Sequence, residues 1–428
     1  MSLKFQSPTG MHDLFQEDWN YFDKVKKTCQ NMADSYEFDR IETPILEDTA
    51  IFEKGTGLNT DIVEKEMYSL TSRGGDRLTL RPEGTPGIVR SYIQHGMQSL
   101  SKPVKLWYFG PFFRHERPQA GRFRQFYQFG FESLGVSDPI IDAEIIQIFY
   151  NILKDLGFKN LLVEINSIGD SQCRGYFRKS LMSYLRSRQS GLCSDCKRRI
   201  KKNPLRILDC KEEKCQRIKK GAPQIVDHLC KECHDHFKNL LEYLDEKGLP
   251  YSLNPYLVRG LDYYTKTVFE IYEDSEEGKQ IGALAGGGRY DDLVRMLGGK
   301  PTPACGAASG VERVVNLLKA RSKKAGLKAK ERTSEVFLAQ VGEIAKKKSL
   351  KLFEEFREAG IKVGEALHRD SLSAQLKAAD KMDVKYVLIL GQKEAIDDQI
   401  IIREMKSGNQ YVTELSKAVQ EIKKKIKK

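Results

Sequence analysis

Residues 255–270, PYLVRGLDYYTKTVFE, bring a dense set of hydrogen-bonding groups into one short segment. Arg259 is followed by a glycine, by Asp262 and by two adjacent tyrosines, and the segment ends in residues typical of a β-strand. The planar fork of an arginine suits a phosphate or a carboxylate, and Gly260 permits close approach of a backbone or a ligand. A strand–turn–strand unit with an ordinary Arg–Asp ion pair is the plainer interpretation, because a motif alone is a hypothesis.

The rest of the chain has the composition of a globular enzyme. Its 428 residues exceed one ordinary core, so two or three domains are expected. Hydrophobic residues make up 40% and charged residues 30%, as in soluble globular proteins. The sequence begins without a secretory signal and has no apolar run long enough for a membrane helix. We therefore expect a cytoplasmic protein with no membrane partner, whose nine cysteines are reduced.

Positive charge is concentrated in residues 171–240. This segment contains 18 Lys and Arg and 7 Asp and Glu, so it carries +11 of the net charge of +12. A basic module on a nearly neutral body indicates a polyanion partner, although a basic surface kept for solubility gives the same pattern. Because the segment is also rich in cysteine and interrupts a series of strands, we interpret it as a helical insertion.

The cysteines of this insertion favour a metal site. Two Cys-x2-Cys pairs stand in it: Cys193 with Cys196, and Cys230 with Cys233. Four thiolates from two such pairs make a tetrahedral zinc site, so we predict one structural Zn²⁺ held by both pairs. A chance arrangement is the alternative, because the 33-residue gap between the pairs is long and Cys210 and Cys215 are also candidates. The other thiols are interpreted as core or incidental residues: Cys29, Cys173 and Cys305.

Hydrophobic periodicity predicts the elements on either side of the insertion. The predicted elements, in chain order, are a helix at 15–36, an edge strand around Pro44, strands at 67–70, 77–81, 104–114 and 123–134, a helix at 139–157, a strand at 161–167, strands at 251–272 and 281–288, and a strand–helix pair at about 303–318. Pro44 suits a sheet edge because proline cannot donate a ladder hydrogen bond. Alternating apolar and polar residues in the longer strands are typical of an antiparallel sheet.

The end of the chain has the pattern of a separate domain. Residues 319–332 have the composition of a linker. Beyond them, strands and helices alternate, with the last helix expected at 412–426, which predicts an α/β domain with a largely parallel sheet. We therefore expect one domain in two parts, 1–170 and 241–325, interrupted by the insertion at 171–240 and followed by a second domain at 331–428.

Several of these segments resemble known signature motifs. The Pro44 segment, residues 112–117 with the loop and strand that follow, and residues 310–313 resemble motifs one, two and three of class II aminoacyl-tRNA synthetases. Residues 257–264 and 285–291 resemble the two histidine-specific motifs of the histidyl-tRNA synthetase family. The resemblance covers the whole chain.

The resemblance implies a fold and an activity. The fold is a multidomain α+β and α/β architecture, with an antiparallel-sheet catalytic domain, a helical cysteine-rich insertion and a C-terminal α/β anticodon-binding domain. The activity is ligation of L-histidine to tRNA(His): ATP and histidine form histidyl-adenylate, and histidine is then transferred to the 3′ end of the tRNA. The resemblance further implies Mg²⁺ with ATP and a homodimer formed through the first-motif region.

Site residues follow from the same motifs. The resemblance places Arg114 at the α-phosphate of ATP, Arg313 at the outer phosphates and Arg259 between the substrate carboxylate and the α-phosphate. Residues implied to bind histidine are Glu83, Gly84, Thr85, Gln128, Glu132, Tyr263 and Tyr264. Within that set, Glu132 and Tyr264 are assigned to the imidazole, and Glu83, Thr85 and Gln128 to the α-ammonium. Residues implied to contact tRNA are Arg117, Gln119 and Arg122.

Two alternatives accompany these assignments. Glu83 stands where a helix N-terminal cap would be favourable, so a purely structural role is open to it. The whole chain also fits a non-catalytic paralogue that binds histidine and regulates another enzyme, since fold alone does not fix function. Such relatives typically lack the catalytic arginine and the anticodon domain, whereas Arg259, Arg114 and residues 331–428 are all present here.

Overall fold

The computed structural model describes residues 5–58, 60–118, 121–275, 282–324 and 334–426. The chain divides into two compact units, Met1–Leu327 and Lys328–Lys428. Within the described ranges, no helix combines the length and the apolar character needed to cross a membrane.

The first unit alternates short and long elements. In chain order they are α1 (Gln16–Tyr36), β1 (Asp39–Arg40), β2 (Leu46–Asp48), α2 (Thr49–Gly55), β3 (Tyr68–Thr71), β4 (Arg77–Leu80), α3 (Thr85–Gln94), β5 (Val104–Phe113), β6 (Gln125–Leu134), α4 (Ile140–Asp155), β7 (Leu161–Ser167), α5 (Ser171–Arg186), α6 (Ser194–Lys202), α7 (Glu213–Lys219), α8 (Lys231–Glu246), β8 (Tyr251–Leu253), β9 (Thr265–Glu273), β10 (Ala285–Arg289), α9 (Leu293–Met296), β11 (Ala304–Gly310) and α10 (Val311–Lys324). The helices and most of the strands expected around the insertion are confirmed to within a few residues at their ends. The single strand expected at 251–272 is wrong in part, because residues 254–264 separate β8 from β9.

An eight-stranded sheet organises this unit, in the order β1-β5-β6-β11-β10-β9-β7-β8. The six inner strands run antiparallel to their neighbours, and only the short edge strands β1 and β8 pair in parallel. The expected antiparallel sheet is therefore confirmed. The Pro44 segment forms two edge strands in different sheets, since β2 belongs to a separate three-stranded sheet with β4 and β3. Proline thus lies where the chain leaves one sheet for another.

Two hydrophobic clusters pack around the large sheet. One contains side chains of α1, α4, α8 and α10. The other joins α3 to α5, α6 and α7 of the insertion and to Leu257, Tyr263 and Tyr290. The insertion is helical, as expected, and it shares this second core with the segment that carries the two adjacent tyrosines.

The second unit is a mixed sheet with helices. Its elements are β12 (Val336–Gln340), α11 (Glu343–Glu358), β13 (Val363–Glu365), α12 (Leu372–Lys381), β14 (Tyr386–Leu390), α13 (Gln392–Ile396), β15 (Gln399–Glu404), β16 (Gln410–Glu414) and α14 (Ala418–Ile426). The strand order is β13-β12-β14-β15-β16. β12 pairs in parallel with β13 and β14, whereas β14, β15 and β16 are antiparallel.

Two expectations for the C-terminal region are wrong in part. The sheet is only half parallel, because residues 410–414 form a hairpin strand with β15 instead of beginning the last helix. The linker expected at 319–332 does not begin at 319, because α10 continues to Lys324. Its basic residues are anchored to the body of the unit: Arg321 forms an ion pair with Glu273, and Lys319 with Asp18. Residues 325–333 lie outside the described part of the chain.

Candidate active site

Glu83 is a buried carboxylate between β4 and α3. Its side chain is 5% exposed and accepts hydrogen bonds from Thr56 Oγ1 at 2.5 Å and from Tyr263 OH at 2.7 Å. Gly84, not Glu83, is the N-cap of α3. The structural alternative of a helix cap is therefore wrong, because both carboxylate oxygens face other elements. Burial raises the pKa of Glu83, although the two hydroxyl donors oppose that shift.

Glu132 is a second buried carboxylate, on β6. Thr85 Oγ1 donates to it at 2.8 Å and Tyr290 OH at 2.5 Å. Burial raises its pKa to about 8, against the effect of these two donors. A β-carbon at Gly306 on the neighbouring strand would lie 1.6 Å from Glu132 Oε2, so only glycine leaves room for this carboxylate.

The adjacent tyrosines connect Glu83 to an arginine: Tyr263 donates to Glu83, and Tyr264 lies beside Arg259. The rings of Tyr263 and Tyr264 have centroids 4.7 Å apart, and the guanidinium of Arg259 lies 5.8 Å from the Tyr264 ring centroid. Both tyrosines are buried. Burial raises the pKa of Tyr264 to about 12, although the charge of Arg259 opposes this shift. Tyr264 is therefore a neutral hydroxyl at physiological pH.

Arg259 forms an ion pair with Glu270 of β9. Burial alone would lower the pKa of Arg259, but the negative charge of Glu270 raises it above its usual range. The first and plainer interpretation of this segment, an ion pair of Arg259 with Asp262, is wrong. Asp262 accepts a hydrogen bond from Asn203 Nδ2 at 3.0 Å instead. The guanidinium remains charged at any physiological pH.

Arg114 and Arg313 are oriented by backbone carbonyl groups. Arg114 Nε donates to Pro82 O, and Arg313 Nη1 donates to Ala283 O, both at 2.8 Å. Burial lowers the pKa of Arg313, and the positive charges of Arg122 and Arg114 lower it further. Neighbouring cations whose charges lower the pKa of Arg313 make a region that an anion would stabilise.

The other predicted residues have less defined surroundings. Gln128 on β6 is half-buried and pairs through its backbone with Gly110 and Gly310. Arg117 and Arg122 are exposed, and Arg122 lies 3.4 Å from the carboxylate of Glu116. Gln119 lies outside the described residues. Their assigned contacts with histidine and tRNA stay predictions.

Three site residues were missed from the sequence: Thr56, Glu270 and Tyr290. Tyr290 lies inside the second histidine-specific segment. Its place in that motif was a reason to assign it a role in the site, but no role was predicted for it. Glu270 lies in the quoted 255–270 segment, where strand alternation gives no indication of an ion pair with Arg259. Thr56 follows α2 and carries no motif, so only the tertiary structure reveals its hydrogen bond to Glu83.

The predicted four-cysteine metal site is wrong in its ligand set. Cys193 and Cys196 lie with Cys210 and Cys215, whereas Cys230 and Cys233 lie with Cys173 and Asp170. The two Cys-x2-Cys pairs thus fall in different clusters, because each pair begins a different helix of the insertion. The expectation that Cys173 is incidental is also wrong, whereas Cys29 and Cys305 are buried core residues as expected.

Comparisons with known proteins agree with this architecture. A family model described as "Histidyl-tRNA synthetase" matches residues 10–314, and one described as "Anticodon binding domain" matches residues 335–425. The first match spans both parts of the large sheet and the insertion between them. The class of protein that the fold and motifs define is therefore that of the class II aminoacyl-tRNA synthetases.

Individual relatives point to one member of that class. A histidine–tRNA ligase of Dehalococcoides mccartyi is 44% identical over 423 residues, which cover 99% of this chain and 100% of the relative. A histidine–tRNA ligase of Desulfitobacterium hafniense is 44% identical over 95% of each chain. The crystal structure of apo histidyl-tRNA synthetase from S. aureus matches with a TM-score of 0.78 and 32% identity, covering 97% of this chain and 99% of that one. The chain belongs to the histidyl-tRNA synthetase family, and its activity is that of an ATP-dependent histidine–tRNA ligase.

Proposed function

We propose that the buried carboxylates and the arginines described above carry out the two steps of histidine ligation. The observation that supports this most directly is the position of Glu83. Its carboxylate is enclosed by hydroxyl donors and lies close enough to Arg114 and Arg259 for their charges to oppose the rise in its pKa that burial causes. A zwitterionic amino acid would place its ammonium at such a carboxylate and its own carboxylate toward the arginines.

In the first step the histidine carboxylate attacks the α-phosphorus of ATP and pyrophosphate leaves. Two anions must approach each other, and negative charge develops at phosphorus, so fixed positive charge is the main requirement. In this proposal Arg259 lies between the attacking carboxylate and the α-phosphate, Arg114 binds the α-phosphate, and Arg313 binds the outer phosphates. ATP would bind as its Mg²⁺ complex, in which the cation would offset part of the phosphate charge that Arg313 faces.

The imidazole is recognised by groups that match its two nitrogens. A neutral imidazole offers one donor and one acceptor. Glu132 accepts from the imidazole N–H, and the neutral hydroxyl of Tyr264 donates to the other nitrogen. Glu83, Thr85 and Gln128 bind the α-ammonium, while Tyr263 keeps Glu83 in place through its 2.7 Å hydrogen bond.

The second step transfers histidine to the terminal ribose of tRNA. We assign Arg117, Gln119 and Arg122, which follow β5 in the sequence, to the acceptor end, and residues 331–428 to the anticodon. The match of residues 335–425 to an anticodon-binding domain supports the second assignment. We place the reaction in the cytoplasm, because nine free thiols fit a reducing compartment. Recovery of the ligase outside the cytoplasmic fraction would contradict that placement.

We also propose a homodimer formed through the region around Pro44. Large apolar side chains are exposed on the three-stranded sheet and next to it: Leu46 at 41% and Leu70 at 43% on the sheet, and Ile45 at 42% just before β2. Neighbouring exposed apolar residues are typical of a protein interface. Sedimentation should give twice the mass of the chain, and Leu46→Lys should shift the protein toward monomer. A monomeric wild type at micromolar concentration would contradict this proposal.

Histidine-dependent exchange of pyrophosphate into ATP tests the first step directly. Exchange should require L-histidine and should not occur with other amino acids. Aminoacylation of tRNA(His) then tests the second step. A folded protein that binds histidine without catalysing exchange would support the regulatory alternative instead.

A further inference from the structure

The insertion contains two separate clusters of metal-ligating side chains. The first consists of Cys193, Cys196, Cys210 and Cys215, and the second of Asp170, Cys173, Cys230 and Cys233. Within each cluster the ligand atoms all lie within 4.8 Å of one another. None of these eight residues forms one of the contacts described above for the buried carboxylates or the arginines, and the members of each cluster come from separate parts of the chain. Such convergence requires a physical cause.

The first cluster has the spacing of a tetrahedral thiolate site. Cys193 Sγ and Cys210 Sγ are 3.9 Å apart. Zinc–sulfur bonds of about 2.3 Å place the sulfurs of a tetrahedron about 3.8 Å apart, whereas a disulfide requires about 2.05 Å. The sulfurs are therefore spaced as ligands around a shared centre.

Backbone donors also point at the sulfurs of the first cluster. Cys193 is the N-cap of α6, and its Sγ accepts from Cys196 N at 3.4 Å. Cys193 N in turn donates to Cys215 Sγ at 3.3 Å. Amide donors and the positive end of a helix dipole both favour thiolate over thiol. The backbone amides therefore point at the sulfur atoms that would bind the metal.

The second cluster repeats this arrangement at the base of the insertion. Cys230 is the N-cap of α8, and its Sγ accepts from Cys233 N at 3.5 Å, while Cys230 N donates to Cys173 Sγ at 3.0 Å. Asp170 is the N-cap of α5: one carboxylate oxygen accepts from Cys173 N at 2.8 Å, and the other lies 3.7 Å from Cys230 Sγ. Two helix N-termini therefore meet at one point.

The chain preceding this second cluster is shaped for close approach. Gly169 has a φ of +60°, and a β-carbon there would lie 2.5 Å from the β-carbon of Cys173. Only glycine accommodates both the left-handed backbone and the neighbouring cysteine. This conformation brings the residue that enters the insertion next to the start of its last helix.

We infer that the insertion binds two zinc ions, one in an all-thiolate site and one in a site of three thiolates and a carboxylate. Zn²⁺ fits because soft thiolates in a tetrahedral arrangement select it over oxygen-preferring cations. The first ion fastens α6 to α7 and to the turn before it, and the second fastens the two ends of the insertion together. A segment of about 70 residues with a small core gains stability from such staples.

The first ion also supports a segment that contacts the candidate active site. Between Cys196 and Cys210, Asn203 donates to Asp262 at 3.0 Å and Arg206 Nη1 donates to the carbonyl of Arg259 at 3.4 Å. Beside Cys173, Arg174 Nη1 donates to the carbonyl of Tyr264 at 2.9 Å. Both ions thus lie next to residues that fix the backbone of the 259–264 segment.

Metal analysis of the full chain, purified without chelator, tests the inference. Two zinc ions per chain are expected in the wild type. Cys210→Ser and Cys230→Ser should each retain about one, and Cys29→Ser should retain two, because Cys29 is a buried cysteine of α1 outside both clusters. One ion or none in the wild type, iron in place of zinc, or disulfides in the freshly purified protein would each overturn the two-site inference.

Cobalt substitution distinguishes the sites even where a variant folds poorly. In the wild type, Co²⁺ should give thiolate-to-metal charge transfer for seven thiolates in two tetrahedral sites. Cys230→Ser should retain the four-thiolate spectrum, and Cys210→Ser the weaker three-thiolate one. An octahedral spectrum, or a single site by titration of the wild type with Co²⁺, would overturn the inference independently of the variants.

The link to the 259–264 segment rests on the proposed function and is tested separately. Removing the metal should raise the KM for histidine in pyrophosphate exchange several-fold, and adding Zn²⁺ should restore it. If two ions bind but their removal leaves this KM unchanged, the sites are staples only and the link to the active site is wrong.

Discussion

The two sides of the candidate active site hold buried charge in opposite ways. On one side, Glu83 and Glu132 are bound by neutral hydroxyl groups, two to each carboxylate. On the other, Arg114 and Arg313 are oriented by backbone carbonyl groups. Of these three arginines, Arg259 is the one with an ion-pair partner among the described residues, the carboxylate of Glu270. Neither hydroxyls nor carbonyls neutralise the group that they bind.

This difference indicates what each side is prepared to receive. A buried carboxylate held by hydroxyls keeps an elevated pKa until a cation or an N–H donor arrives. Arg313 is half-buried and lies near other cations whose charges lower its pKa, so an anion stabilises this group of arginines. The two sides therefore match the two ends of the reaction: the ammonium and imidazole of histidine on one, and the phosphates of ATP on the other.

The largest expected effect is the loss of positive charge at position 259. Arg259→Ala should lower the rate of pyrophosphate exchange by about 3 kcal/mol of transition-state stabilisation, on the order of 100-fold, because the charge acts where negative charge develops. Arg259→Lys should recover only part of the rate, since lysine keeps the charge and loses the fork. Exchange kinetics and a circular dichroism spectrum measure the effect and the fold.

Arg90→Ala is the matched control for Arg259. Arg90 forms an ion pair with Glu47 in the same unit, so its removal also leaves a glutamate without its partner. Exchange by this variant should be close to that of the wild type. Equal losses in the two variants would mean that the Arg259 effect is structural.

On the carboxylate side, the raised pKa of Glu132 should make the stability of the protein depend on pH. Glu132 has a pKa of about 8 in the folded protein and about 4.5 ordinarily. Between pH 4.5 and 8, the carboxyl of Glu132 is deprotonated in the unfolded chain and protonated in the folded chain. The contribution of Glu132 to the free energy of unfolding is therefore fully present below pH 4.5 and is lost as the pH rises toward 8. At pH 7 the loss is on the order of 3 kcal/mol. In Glu132→Gln this pH-dependent loss of stability should be absent, because glutamine does not titrate.

Urea unfolding of the wild type and of Glu132→Gln from pH 4.5 to 9 measures this pH-dependent loss of stability. The stability of Glu132→Gln relative to the wild type should increase with pH and level off near pH 8. Glu312→Gln is a useful comparison, because burial raises the pKa of Glu312 to only about 7 and its curve should level off one unit earlier. A difference between Glu132→Gln and the wild type that does not change with pH would show that Glu132 is ionised in the folded protein.

Substitutions on the carboxylate side should weaken the binding of histidine selectively. Glu132→Gln and Tyr264→Phe each remove one proposed partner of the imidazole, at a cost of about 1–3 kcal/mol, or roughly 5- to 100-fold in the KM for histidine. The KM for ATP should change little, because the arginines are untouched. Exchange assays with each substrate varied in turn give both constants. Parallel increases in the two KM values would contradict the separation of the two sides.

The smallest effect is expected from charges that belong to neither side. Lys197, Arg198 and Lys201 are exposed on α6, whereas neighbouring Arg199 is held by Asp61 at 3.4 Å. Changing the three exposed residues to Gln should raise the KM for tRNA several-fold and reduce its salt dependence, since neutralised phosphates release counterions. Pyrophosphate exchange should not change.

Removal of three positive charges outside the insertion provides the control for this prediction. Lys24, Lys27 and Lys300 are exposed lysines outside the insertion. Their replacement by Gln should leave the KM for tRNA and its salt dependence as in the wild type. If both triple variants lose tRNA affinity equally, the effect reports net charge and not a basic surface on the insertion.

Much of the catalytic architecture was predictable from the sequence because its signals are local. Alternation in β5 and β6 gives the antiparallel centre of the sheet, and motif residues such as Glu83 and Arg259 lie together in the structure as expected. Thr56 could not be predicted, because its hydrogen bond to Glu83 spans 27 residues and carries no periodic signal. Local patterns reveal which face a residue occupies, but not which distant side chain meets it there.

The cysteine clusters and the C-terminal sheet show the same limit. Spacing correctly separated Cys193 and Cys196 from the core cysteines, yet pairing them with Cys230 and Cys233 was wrong, because sequence spacing does not report how the helices of the insertion fold back. At the C-terminus, residues 410–414 are a short strand whose identity depends on pairing with β15. Five residues next to a helix give too little pattern to separate the two.

The last helix of the insertion determines how freely this module can be exchanged. α8 packs against α4 of the catalytic body, and its buried His236 lies 2.8 Å from Asp142, which also binds Thr267 at 2.6 Å. A deletion of the proposed segment 171–240 would therefore cut through a helix that the host core requires. A transplant or an excision should join the chain between Gly169 and Cys230, leaving α8 behind as a permanent part of its host.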